Sequence, residues 1–274
     1  SRKRVRNVIV IIEAAFSLVL LICAGLLMKS FVQLQNVDLG YNPNSVISIK
    51  VTAPVDKYPE LKNLGDVHRV LLERVRAIPG IKNAATANLV PMTPGNSMTD
   101  FSKDGPPSPS LRNVYAASFR IVSPDYFKTM NIRLLRGKYF SESPTGKSVI
   151  IDEFLLNRYW KNSDPIGQKI YVAGFDGPVE IVGIARNVKS KTVDEEDWPL
   201  LYLSSIEVPP ELSIYIAAQT AGDPVRYAEF LRKTIRDFGF ALCVFSECPD
   251  AFPSSHRRAL DGFIRTLPIG TGFG

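Results

Sequence analysis

Cysteine and histidine are scarce in this chain of 274 residues, which has Cys23, Cys243, Cys248, His68 and His256 and no others of either kind. Three cysteines are too few for the disulfide framework of a small secreted scaffold, and two isolated histidines do not make a convincing metal site. Cys23 falls in an apolar run and reads as a small packing residue. Cys243 and Cys248 either pair, in an oxidising compartment, or stay as two thiols. No serine stands in a G-x-S-x-G elbow, and neither histidine has a visible nucleophile and acid around it. His68 reads as a solvated residue on the polar side of a helix. Thr145-Gly146-Lys147-Ser148 resembles the end of a phosphate loop, but the glycine needed five residues earlier is Ser141. Val149-Ile150-Ile151 then reads as a strand, not as the helix whose N-terminus would hold a phosphate. The acidic run Asp194-Glu195-Glu196-Asp197 lacks the spacing and turn glycine of a calcium loop and reads as solvated. We therefore expect no catalytic residue, no cofactor and no metal ligand, and a domain that binds, couples or transmits.

Excess charge is also missing from most of the chain. The net charge is +6, from 33 basic and 27 acidic side chains. Residues 1–29 hold Arg2, Lys3, Arg4, Arg6 and Lys29 against Glu13, which leaves 28 basic and 26 acidic side chains elsewhere. So nearly neutral a remainder has no electrostatic footprint for nucleic acid.

The positive charge precedes a membrane-like segment. From Val8 to Met28 the sequence is VIVIIEAAFSLVLLICAGLLM, with Glu13 its one charge and Phe16, Leu20 and Gly25 along it. At 1.5 Å per residue, about 20 such residues cross the hydrocarbon core. Arg2, Lys3, Arg4 and Arg6 put the N-terminus in the cytoplasm by the positive-inside rule. The bulk of the chain then lies outside, in the periplasm of a Gram-negative cell. Glu13 has two readings: a contact with a neighbouring helix, or a carboxylate near enough to the cytoplasmic interface to reach water. A cleaved signal peptide fits less well, because the apolar run continues through Phe31, Val32 and Leu34. A lipoprotein site at Cys23 is disfavoured by Ile22 before it.

Beyond Gly40-Tyr41-Asn42-Pro43 the patterning alternates between periods of two and of 3.6. Val46–Val51 predicts a strand. Val67, Leu71, Val75 and Ile78, with Val70 alongside, predict an amphipathic helix stopped by Pro79-Gly80, and Ile81–Leu89 a second strand. Residues 91–112 read as a loop crossing with a short strand near Phe101. Strands are expected at Tyr115–Val122, Val149–Ile151, Lys169–Ala173, Val179–Ala185, Leu200–Leu203, Leu212–Ala218 and Ala241–Phe245. Helices are expected at Pro124–Met130, with Pro in the first turn, and at Asp152–Trp160. A third follows Asp223-Pro224, with Tyr227, Phe230, Leu231, Ile235 and Phe238 on its face. Tyr126, Phe127, Tyr139, Phe140, Tyr159 and Trp160 read as core.

The expected class is α+β: an N-terminal transmembrane helix followed by a two-subdomain periplasmic ectodomain of βαβ-type units with a β-rich insert. Residues 1–38 form the basic flank and membrane helix, 39–248 the ectodomain and 249–274 a divergent tail. Within the ectodomain, about 46–120 and 205–248 form one subdomain and about 121–204 the inserted one.

Several segments occur in an order that resembles the permeases of the MacB/FtsX-like ABC transporter family, especially the duplicated permeases of soil bacteria. They are EAAFSLVLLICAGLLMKSF, VDLGYNPNSVISIKV and LLERVRAIPGIKNAATANLVPM, then Val122-Ser123-Pro124-Asp125-Tyr126-Phe127 and Arg133-Leu134-Leu135-Arg136-Gly137-Lys138-Tyr139-Phe140. Trp160, Asp164-Pro165-Ile166-Gly167-Gln168 and Val179-Glu180-Ile181-Val182-Gly183 follow. The series covers roughly residues 8–245, and 248–274 does not continue it. In physical terms these motifs specify turns: Pro124 starts a short helix, Gly137 permits a tight reversal, and Asp164-Pro165-Ile166-Gly167 feeds a strand. The resemblance implies a MacB-like periplasmic core domain in the inner membrane, working with a separate or fused ABC ATPase subunit and a second permease copy. It implies mechanotransmission: ATP hydrolysis in the cytoplasm drives export or substrate handling outside. In that arrangement the permease is not itself an enzyme. A single-span sensor or ligand-binding ectodomain, and a membrane-anchored hydrolase, are the competing readings.

Overall fold

The computed structural model describes residues 2–35, 38–54, 64–93, 95–108, 113–143, 146–161, 163–189 and 198–243. The acidic run 194–197, Cys248 and the tail 249–274 lie outside the described residues. The chain divides into two units, Ser1–Leu39 and Gly40–Gly274.

The first unit is one helix, α1, Arg2–Gln35, of 34 residues. Its segment Ile11–Val32, with mean hydropathy 2.5, is long and apolar enough to cross a membrane. The window lies slightly C-terminal to the expected Val8–Met28, because Phe31 and Val32 extend the apolar run, and Glu13 falls in its first turn. Phe16, Leu20 and Met28 on this helix are exposed.

The second unit begins with a split pair of βαβ motifs. Strand β1 (Val46–Thr52) leads through α2 (Leu64–Arg76) to β2 (Ile81–Ala87). Much later, β10 (Ser213–Thr220) leads through a 3-10 turn and α5 (Ala228–Asp237) to β11 (Ala241–Cys243). The four strands lie in the order β11-β1-β10-β2 with every neighbour antiparallel. This is the ferredoxin-like arrangement, interrupted between β2 and β10 by the rest of the domain.

The insert forms a barrel. It contains β3 (Met98–Ser102), β4 (Val114–Val122), β5 (Leu134–Gly137), β6 (Ser148–Asp152), β7 (Lys169–Val172), β8 (Val179–Ala185) and β9 (Leu200–Ser204). Six of these run β4-β3-β7-β8-β6-β9, and β9 returns to pair with β4 in parallel, closing the ring. Closure removes the free edges that an open sheet of these short strands would expose. β5 hangs on β8 outside the ring. The insert also carries two short helices, α3 (Tyr126–Met130) and α4 (Glu153–Tyr159). Because β3 and β4 belong to the ring, the insert starts just after Ala87 and not near residue 121.

Alternation along the strands builds three cores. On β10, Ile214, Ile216 and Ala218 face the cluster under α2 and α5, whereas Tyr215 and Ala217 face the opposite side. On β6, Val149 and Ile151 fill the barrel while Ile150 points outward; β9 alternates likewise, Leu201 and Leu203 in, Leu200 and Tyr202 out. The outward residues meet the back of the inner sheet in a third cluster, wedged by Tyr126, Phe127 and Met130 of α3. Both faces of these strands are therefore buried, and each buried Ile, Leu or Phe contributes roughly 1.5–3 kcal/mol.

Four residues depart from the expected pattern. The buried stripe of α2 is Leu64, His68, Leu71, Leu72 and Val75, so His68 is inside, not solvated. Leu64 and Leu72, four residues either side, place it on the apolar face. Phe230 is 64% exposed while Leu231 and Ile235 carry the buried face of α5. Tyr139 is 48% exposed. Pro124 precedes the N-cap Asp125 of α3 and does not sit in its first turn.

Candidate functional site

The motif residues gather where the inner sheet meets the barrel. One backbone pair, Ala87 opposite Val122, joins β2 to β4. Backbone bonds flank this pair on either side, and side chains of the same residues add to them. The Asn88 amide N–H donates to the Ile121 carbonyl at 3.0 Å, and Asn88 Oδ1 accepts from the Ile121 amide at 3.0 Å. The Ser123 amide donates to the Thr86 carbonyl at 3.0 Å, and Ser123 Oγ accepts from the Thr86 amide at 3.0 Å. A serine hydroxyl can follow small strand movements, and the motif position Ser123 uses it to seal a buried N–H.

Two further groups lie at this seam. Arg76, at the end of α2, donates through Nη2 to the Ala84 carbonyl at 2.9 Å and to Asp125 Oδ2 at 2.7 Å. Glu211, in the return from β9 to β10, is bonded by Asn88. Burial pushes its carboxyl up to about 7, against the opposing pull of that bond. Nearby on β4, Arg120 is buried and donates Nη1 to the Phe119 carbonyl at 3.0 Å. Burial lowers its pKa and raises those of its neighbours Tyr126 and Tyr202.

A second knot holds the barrel wall. Gly137 has φ +83°, and a Cβ there would lie 2.2 Å from the Val182 carbonyl oxygen. At the same crossing, a Cβ on Gly183 would lie 2.8 Å from the Lys138 carbonyl oxygen. The two glycines let β5 lie on β8, so Gly137 serves a close approach as well as a reversal. Arg136 pairs with Asp164. The carboxyl of Asp164 is held below its usual range first by the Ile166 amide, which donates to Oδ1 at 3.1 Å, and then by Arg136. Gln168 Nε2 donates to the Asp164 carbonyl at 2.7 Å, while Gln168 Oε1 accepts from Trp160 Nε1 at 2.8 Å. The Gly167 amide bonds the Ile181 carbonyl at 2.8 Å. Asp164, Pro165, Ile166 and Gly167 are thereby tied to Ile181, Val182 and Gly183.

Beside α3 lies a cleft of about 730 Å³. Pro124, Asp125 and Phe127 of one motif and Tyr139 and Phe140 of the next line it. The Phe127 ring centroid lies 5.7 Å from Tyr139 and 6.1 Å from Phe140.

The sequence comparison decides the family. The model of the MacB-like periplasmic core domain matches residues 7–232. This chain belongs to that family. The fold agrees with the crystal structure of the periplasmic region of MacB from Actinobacillus actinomycetemcomitans, at TM-score 0.50 and 11% identity over 81% of this chain and 94% of that one. The extracellular domain of the noncanonic ABC-type transporter YknZ from Gram-positive bacteria matches at TM-score 0.45 and 14% identity, over 72% of this chain and 100% of that one. A domain of a putative permease protein from Porphyromonas gingivalis matches at TM-score 0.45 and 15% identity, over 79% and 96%. No curated protein matches the chain.

Within this MacB-like domain the motif residues form two groups: Ser123, Pro124, Tyr126, Phe127 and Phe140 around the seam and cleft, and Arg136, Gly137, Asp164–Gly167 and Ile181–Gly183 in the wall. Sequence reasoning missed Thr86, Asn88, Arg76 and Glu211. Asn88 had a signal, since a polar amide directly after the small apolar run Ala84–Ala87 marks a strand end with a bonding duty. Glu211, after two prolines, had none.

Proposed function

We propose that this chain is the first membrane helix and periplasmic core domain of an ABC-type transporter permease. It sits in the inner membrane with its N-terminus in the cytoplasm and the domain outside. A partner ATPase hydrolyses ATP on the cytoplasmic side. The domain, working beside a second permease copy, converts the resulting helix movement into export or handling of substrate outside the membrane. The family membership over residues 7–232 carries this reading. Catalysis of ATP hydrolysis belongs to the partner.

The test is affinity purification of the chain from native membranes in mild detergent. The expected result is stoichiometric recovery of a Walker-motif ATPase with vanadate-sensitive ATP hydrolysis. Recovery of the chain with no nucleotide-hydrolysing partner would favour a single-span ligand-binding or sensor ectodomain instead.

A further inference from the structure

We propose that the cleft beside α3 is a binding site for a small soluble anion with an aromatic or alkyl body. The site stands apart from the coupling reading, because it requires neither an ATPase nor movement of the membrane helix.

The cleft's volume, about 730 Å³, is within the range of small-molecule sites. Its floor is apolar: Phe127, Ile132 and Phe140 are buried there. Tyr139 stands against Phe127 at 5.7 Å between ring centroids, yet remains 48% exposed. That leaves one aromatic surface beside the floor open to stack on a ligand.

The charge of the walls chooses the ligand's sign. Lys128 and Arg133 line the cleft, are exposed, and have no carboxylate partner among the described residues. Arg186 lines it as well. Of the two lining carboxylates, Asp125 is already held by Arg76 at 2.7 Å, which leaves Glu142. An anionic head placed between Lys128 and Arg133 gains charge-assisted bonds while its body covers Tyr139. A cation in the same place meets two like charges, and a neutral apolar molecule gains the ring alone.

The experiment titrates 2-naphthalenesulfonate into the full chain in lipid nanodiscs by calorimetry, with empty nanodiscs and 2-naphthylmethylammonium as controls. The expected result is saturable one-to-one binding to the loaded discs, with the ammonium at least about tenfold weaker. The double variant Lys128→Gln/Arg133→Gln, and separately Tyr139→Ala, should each weaken binding by about tenfold or more, whereas Glu142→Gln should tighten it about twofold. These side chains are exposed, so the variants should keep the melting temperature of the parent, and Lys128→Arg should keep its affinity. Binding no greater than to empty discs, equal binding of the ammonium, or an unchanged affinity in a folded double variant would each overturn the proposal. None of these results would touch the permease reading, which rests on recovery of the ATPase.

Discussion

The inner sheet and the barrel are built from similar short strands but are held together in different ways. In the inner sheet, β1 pairs with β10 over seven residues, from Val46 opposite Gln219 to Thr52 opposite Ser213, and helices cover one face. Its stability is that of continuous backbone ladders over a helix-packed core. The barrel has strands of four to nine residues and gains its integrity from closure, through β4 and β9. Between them stands a short seam, Ala87 opposite Val122, flanked by backbone and side-chain bonds of Asn88 and Ser123. Long ladders unfold as units, whereas a junction of few hydrogen bonds opens more locally. The backbone ladder is thinnest where sheet and barrel join, and the two pack there on one shared core.

The largest effect should come from the barrel wall. Gly137→Val puts a branched Cβ at φ +83°, 2.2 Å from the Val182 carbonyl oxygen. The loss should be roughly 3–5 kcal/mol, read from the urea midpoint of the chain in detergent. A smaller loss would mean that β5 is not fixed on β8 and the wall is looser than the inner sheet.

Next comes the inner core. Burial lowers the pKa of His68 to about 4, its ring packing near Phe240 at 6.1 Å. The folded state thus binds fewer protons than the unfolded one between about pH 6.5 and 4. Stability is full above about pH 6.5 and falls as pH drops toward 4, by about 3 kcal/mol in all. His68→Phe should flatten that acid limb, as measured by urea titration at pH 7, 5.5 and 4.

The seam should show the opposite slope. With the pKa of Glu211 raised to about 7, its contribution is full below about pH 4.5 and is lost as pH rises through 7. Glu211→Gln should therefore stabilise the chain at pH 8 by about 2–3 kcal/mol and change little at pH 4.5. If the two variants gave slopes of the same sign, the assignment of one group to each region would fail.

The smallest effect is the most local. Ser123→Ala removes the acceptor of the buried Thr86 amide and should cost about 1–2 kcal/mol. Hydrogen exchange should quicken at Thr86 and Ile121 while the β1–β10 ladder stays protected. Uniform loss of protection would merge seam and ladder into one cooperative unit.

The same contrast explains what the sequence revealed. The inner unit was legible because Val46–Val51, the α2 stripe and Ile81 onward carry clean periodicities, and the βαβ order follows from them. Barrel closure was not, because β4–β9 is a parallel pairing between residues about eighty apart, and no local pattern reports it. Leu134–Gly137 hid as a strand because Leu135 and Arg136 are exposed and its neighbour lies nearly fifty residues on. The short strand near Phe101 was readable and is β3, but its membership of the ring was not, because its partners on β4 and β7 come together only in the fold. Of the site, the motifs carry Ser123, and they announced Gly137 and Asp164 as turn positions. Their partners Thr86, Val182 and Arg136 come together only through the tertiary fold.

The most direct test of coupling through the domain is a distance measured across the seam in the working assembly. Lys233→Cys on α5 and Glu180→Cys on β8 are exposed positions in the two bodies; spin labels would be attached with Cys23, Cys243 and Cys248 replaced by serine. In membranes containing the partner ATPase, double electron–electron resonance should show the distance distribution shifting between the nucleotide-free state and the ATP–vanadate state. A distribution that is identical in the two states would contradict transmission through this domain.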